Sequence, residues 1–155
     1  MESQNNDSTV IGHPESDTPF CADLPTLPRD DVGTVLVTGA SGYIGGRLVP
    51  ELMLRGYRVR AMVRGGAGEI TQRWPGAEVV TADALDRESL GAALEGVDTA
   101  YYLIHSMLLG PGEFAGADAK AAEYFAEVAA ERGVRRIIYL GGLGDVRSDL
   151  STHLR

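Results

Sequence analysis

Apolar positions along the chain fall in short blocks, and the blocks alternate between two periods. Val35–Thr38 closes a continuous apolar run, as in a strand buried on both faces. Gly45–Arg55 follows, with Ile44, Leu48, Leu52 and Leu54 near one face, which predicts a helix that Gly56 ends. Arg58–Val63 alternates through Val59, Ala61 and Val63 and reads as a second strand. Ala67–Arg73 is a short helix before Pro75, and Glu78–Thr81 a third strand. Asp86–Leu94 reads as a helix with Asp86 as its N-cap and Gly96 beyond its end. Thr99–Ile104 is a fourth strand, Glu113–Arg132 the longest helix, closed by Gly133, and Arg136–Leu140 a fifth strand. Strands alternating with helices imply parallel βαβ units. Right-handed crossovers then give an α/β doubly wound parallel sheet of about five strands, ordered 3-2-1-4-5.

Composition separates a head from a body. Residues 1–31 hold seven acids and one base, Arg29, with Pro14, Pro19, Pro25, Pro28 and no apolar periodicity. They read as a disordered leader, or as a docking tail. Residues 32–155 hold 15 acids and 13 bases, and they read as one domain with a core of its own. The net charge of −8 is therefore mostly a property of the leader, and no basic patch points to nucleic acid. Cys21 is the single cysteine, which excludes a disulfide scaffold or a cysteine metal cluster, so no metal site is expected. No apolar run approaches a membrane span, and the first residues lack the pattern of a signal peptide. A cytoplasmic protein is expected. Twelve of the 13 bases in the body are arginine, which with the Ala and Gly richness suggests a GC-rich bacterial genome.

The densest chemical signal lies where the first strand meets the first helix. Glycines Gly39, Gly42 and Gly45 stand between them. Such a turn lets the backbone approach a pyrophosphate, and the helix N-terminus offers free N–H groups and a positive dipole end. An NAD site commonly has an acid about 20 residues further on for the ribose 2′-hydroxyl, and an NADP site a base for the 2′-phosphate. Here the second strand ends in Arg64, with no acid between Glu51 and Glu69. Arg64 favours NADP(H) over NAD(H), against the alternative of a solvated strand-end arginine. Arg47 is either a second cation for that phosphate or a surface residue. The fourth strand runs into Leu103, Ile104 and His105, beside the point where strand order reverses. His105 is the titratable candidate there, as catalyst or as structural hydrogen-bonder.

Thr38-Gly39-Ala40-Ser41-Gly42-Tyr43-Ile44-Gly45 resembles the cofactor motif of the short-chain dehydrogenase/reductase superfamily, in its extended and atypical branches. With Ala61-Met62-Val63-Arg64, Tyr101-Tyr102-Leu103-Ile104-His105-Ser106-Met107, Ile137 to Gly144 and Ser151 to Arg155, the chain is similar over about residues 33–155 to the atypical NAD(P)H-binding, NmrA-like group of bacteria. The resemblance implies a Rossmann fold, with the Ser41 hydroxyl and the amides around Tyr43 and Ile44 facing the phosphates. It implies Asp83 as acceptor for the adenine amino group beside Ala84, against a loop or capping carboxylate. Classical members use Tyr-x-x-x-Lys, where the tyrosine protonates the nascent alkoxide. None occurs after the fifth strand, and Gly141 and Gly142 stand where a Ser or Thr is common. His153 falls at the tyrosine position, as a catalytic candidate or a surface residue. The resemblance further implies a helix, a sixth strand and a substrate-binding part after Arg155, so the chain reads as a C-terminally truncated member with an exposed fifth strand.

Three functions follow as expectations. The first is the cofactor domain of an oxidoreductase moving hydride between NADPH and a small organic substrate, with this chain inactive alone. The second is a non-catalytic NADP sensor. The third is a remnant of an NAD-dependent nucleotide-sugar epimerase or dehydratase.

Overall fold

The alternating blocks are realised as β1 (Thr34–Val37), α1 (Gly45–Leu54), β2 (Val59–Val63), α2 (Ala67–Arg73), β3 (Glu78–Thr81), α3 (Arg87–Leu94), β4 (Val97–Tyr102), α4 (Phe114–Glu131) and β5 (Arg136–Tyr139). The computed structural model describes Cys21, residues 29–104 and residues 114–141. Its five strands form one parallel sheet in the order β3-β2-β1-β4-β5, as the sequence predicts.

Side chains alternate between the two faces of the sheet and build two cores. On one face Val35, Val37, Ala61 and Val63 pack with Val49 and Leu52 of α1 and with Ile70 and Trp74 around α2. On the other, Leu36, Met62, Ala100 and Tyr102 pack with Leu90 and Leu94 of α3 and Phe125 and Val128 of α4. β2 is thus buried on both faces, which the alternating Val59, Ala61 and Val63 underestimate. Arg60 on the same strand reaches the end of α3, donating to the carbonyls of Ala93 at 2.8 Å and Glu95 at 2.7 Å. It supplies a cap that α3 lacks in its own last turn, which holds no base.

β4 departs from its predicted span of Thr99–Ile104. It starts two residues earlier because Gly96, at φ 67°, turns the chain straight into Val97, which pairs with Thr34. It ends at Tyr102 because the next amide leaves the ladder: Leu103 N–H donates to Thr38 Oγ1 at 2.9 Å. Thr38 is fully buried, and its own N–H donates to Tyr101 O at 3.0 Å. The carboxyl ends of the two central strands are locked together there. Thr38→Val keeps the shape but leaves the Leu103 amide unpaired, so a loss of about 1–3 kcal/mol is expected in chemical unfolding.

Burial pushes the Tyr102 phenol from the ordinary 10.0 up to about 12. A raised folded-state pKa means the stabilisation is complete below pH 10 and is lost as pH rises from 10 towards 12. Phenolate absorbance is expected to develop for Tyr102 only in that alkaline range, together with unfolding. At the β5 end of the sheet, Ile137, Tyr139 and Leu140 are 43%, 63% and 47% exposed. At the amino end of the sheet, Arg29 N–H donates to Tyr57 Oη at 3.1 Å and Arg135 donates to Asp31 O at 2.7 Å, which ties residues 29–31 to the sheet.

Candidate functional site

The segments that follow the first four strands converge on one cleft of about 580 Å³ at the carboxyl ends of the sheet. Gly39, Ser41 and Gly42 form its wall after β1, and Arg64 and Gly65 that after β2. Asp83, Ala84 and Leu85 close it after β3, and Leu103 and Ile104 after β4. This is the crevice where strand order reverses, since β1 feeds leftward to β2 and β4 begins the other half.

The glycine turn owes its shape to contacts on three sides. Gly39 sits at φ +60°, a conformation glycine adopts without strain. Ala40 N–H donates to Met62 O at 3.3 Å, fastening the turn to β2, and Gly42 N–H closes it on Gly39 O at 2.9 Å. Gly45 brings α1 against the turn. A Cβ there would lie 2.4 Å from Gly39 O and 2.7 Å from Ala40 Cα, both main-chain atoms. Helical bonding starts early, with Gly46 N–H to Gly42 O at 2.8 Å and Leu48 N–H to Ile44 O at 2.9 Å.

The two helices that open towards the cleft end differently. α3 is capped by its own sequence: the Asp86 carboxylate accepts Glu88 N–H at 3.1 Å and Ser89 N–H at 3.4 Å, and Glu88 lies in the first turn. The Ser89 side chain first, and then the Glu88 amide, hold the Asp86 carboxyl below the usual 3.8. α1 has no side-chain cap and no acid in its first turn. Among the described residues, the amides of Ser41, Tyr43 and Ile44 have no main-chain acceptor. An uncapped N-terminus beside a cleft is open to an anion.

Eight of the predicted cofactor residues line the cleft: Gly39, Ser41, Gly42, Arg64, Asp83, Ala84, Leu103 and Ile104. Gly45 stands behind the turn as packing. Tyr43 and Ile44 turn their side chains outward, 68% and 45% exposed, so only their main chain belongs to the turn. The Arg47 guanidinium lies over the Tyr43 ring, 3.7 Å from its centroid, and neither residue lines the cleft. Asp83 plays the capping part weighed against adenine binding, since its Oδ1 accepts Leu85 N–H at 2.9 Å, and it lines the cleft as well. Gly141 packs against the Tyr139 ring. His105, Gly142 and His153 lie outside the described residues. The sequence reading missed Met62, Val63, Gly65, Ala82, Leu85 and Ala121 on the walls. Leu85 was within reach as the apolar residue next to Ala84. Ala121 comes from α4, and nothing in sequence spacing signals it.

The model of the NmrA-like family matches residues 31–150. The chain belongs to the NmrA-like family. It is 32% identical over 116 residues to sterol demethylase protein B of Methylococcus capsulatus, covering 73% of this chain and 35% of that protein. Cinnamoyl-CoA reductase 2 of Arabidopsis thaliana is 31% identical over 119 residues, covering 72% and 36%. Among solved structures, a short-chain dehydrogenase/reductase superfamily protein of Agrobacterium tumefaciens with bound NAD superposes with a TM-score of 0.59 at 25% identity, over 70% of this chain and 32% of that one. The chain thus spans about a third of the length of the curated relatives it matches. Among the described residues of this NmrA-like chain, no helix is long and apolar enough to cross a membrane, and no cluster of three metal-ligating side chains occurs.

Proposed function

We propose that this chain is the NADP(H)-binding domain of a short-chain-type reductase. The observation that carries the reading is the junction of an uncapped α1, the Gly39–Gly45 turn and Arg64 on one cleft. The free amides and dipole of α1 would hold the pyrophosphate, and the absence of a Gly45 side chain lets α1 seat against the turn that presents them. Arg64 would take the 2′-phosphate, the feature that separates NADP from NAD. Asp83 would accept the adenine amino group through its Oδ2, with Ala84 and Leu85 as apolar walls. Leu103 and Ile104, released from the ladder by the Thr38 hydroxyl, would line the nicotinamide side. When bound, the nicotinamide ring supplies or accepts hydride, and the chain's part is to orient it. The NAD in the similar Agrobacterium structure and the reductase among the relatives support the dinucleotide reading. His105 and His153 remain our candidates for proton transfer.

A sensing role is the second reading, favoured by Gly141 and Gly142, which carry no side chain where the resemblance places a Ser or Thr. Two measurements separate them: NADPH fluorescence titration of the purified chain, and NADPH oxidation by a full-length relative, with the histidine that aligns with His153 intact or replaced, over a panel of quinones, aldehydes and enones. Binding with oxidation that replacing that histidine removes supports the reductase. Saturable binding without oxidation supports the sensor. Absence of binding contradicts both.

A further inference from the structure

We infer that Ser89, which does not line the cleft, is a positioning residue for its adenine end, acting through Asp83. The inference rests on the reading of Asp83 as the adenine acceptor. Ser89 sits one turn inside α3, and its Oγ accepts Asp83 N–H at 3.1 Å. Its hydroxyl proton has two carbonyls in reach, Asp86 O at 3.2 Å and Asp83 O at 3.5 Å. One side chain thereby touches both ends of the Asp83 main chain.

The rest of the loop locks around that contact. Asp86 N–H donates to Asp83 O at 3.0 Å, and Leu85 N–H takes Asp83 Oδ1 at 2.9 Å. Upstream, Ala82 N–H is held by Val63 O at 3.0 Å on β2. The Asp83 carboxylate is therefore fixed through one oxygen, and its Oδ2 has no partner among the described residues. A fixed carboxylate with one open oxygen is a rigid acceptor, and rigid acceptors discriminate better than mobile ones because less ordering is needed on binding.

The duties of the two neighbouring polar residues differ. Asp86 caps α3 by accepting two of its free amides. Ser89 donates its own amide to that cap, while its hydroxyl accepts Asp83 N–H and also supports the Asp86 carboxylate. Removing the hydroxyl leaves the two amide bonds of the helix cap in place and the Asp83 amide without its partner. The expected consequence is a looser acceptor rather than a lost helix.

The test compares NADPH with its deamino analogue, in which hypoxanthine replaces adenine and a carbonyl replaces the amino group. The wild-type chain should bind NADPH about tenfold more tightly than the analogue, the worth of a hydrogen bond to a charged acceptor. Ser89→Ala should shrink that ratio to about twofold, Ser89→Thr should retain it, and both should keep the wild-type preference for NADPH over NADH. If Asp83→Ala abolishes the ratio while Ser89→Ala preserves it, the inference is overturned and the Asp83 reading stands. If wild type shows no preference, or Asp83→Ala does not change it, the Asp83 reading itself falls. If Ser89→Ala weakens the NADPH/NADH preference in equal proportion, Ser89 is only a general support and the inference is again overturned.

Discussion

Gly45→Ala is expected to lower the stability of the chain by about 1–3 kcal/mol in urea unfolding, and to weaken NADPH binding roughly tenfold to a hundredfold. The added methyl would meet the Gly39 carbonyl oxygen at 2.4 Å, the Gly39 carbonyl carbon at 2.9 Å and Ala40 Cα at 2.7 Å. All three are main-chain atoms of a turn already fastened to β2 through Ala40 and folded on itself through Gly42. They cannot swing aside as the tip of a long side chain would, so α1 must lift from the turn. Lifting it withdraws the amides that would meet the pyrophosphate. The neighbouring glycine provides the contrast. At Gly46 the nearest atom to an added Cβ is Ala40 O at 3.9 Å, an ordinary contact, and the position is helical. Gly46→Ala should therefore stabilise by about 0.5–1 kcal/mol through helix propensity and leave binding unchanged. Equal damage from the two substitutions would sink the packing argument.

Arg64→Glu is expected to invert the cofactor preference. Loss of a charge-assisted bond to the 2′-phosphate weakens NADPH about tenfold to a hundredfold, and the new carboxylate adds repulsion. The same carboxylate offers NADH an acceptor for its ribose hydroxyls, so NADH affinity should hold or rise. Arg64 is exposed, so the wild-type preference for NADPH should narrow as ionic strength increases. Arg47→Glu serves as the comparison. Its guanidinium is stacked on Tyr43, outside the cleft walls, and its replacement should alter the NADPH/NADH ratio by less than about threefold. A preference that Arg64→Glu leaves untouched removes the NADP assignment.

The sheet was legible because each strand is a short apolar block ended by glycine or a polar residue, and parallel order follows from alternation with helices. Boundaries were less legible where tertiary contacts decide them. β4 ends early only because a hydroxyl 65 residues away, on Thr38, takes the Leu103 amide. α1, by contrast, runs through Pro50 as its apolar face predicts, because burying Val49 and Leu52 on the sheet outweighs one missing N–H. At the cleft, residues that follow strands could be read from order alone: Gly39, Arg64, Asp83 and Leu103 each come directly after a recognisable strand or one residue beyond it. Residues that reach the site through helix phase, such as Ala121, or through another residue, such as Ser89, leave no trace in spacing. The outward turn of Tyr43 and Arg47 was equally hidden, since a helix pattern fixes the face only once the sheet it packs on is known.

Isothermal titration of the wild-type chain with NADPH and, separately, with NADH decides whether the cleft between the β1 turn and Arg64 is the NADP site proposed above. The expected result is one NADPH bound per chain, at least about tenfold more tightly than NADH. Binding of neither nucleotide, or NADH binding as tightly as NADPH, would contradict it.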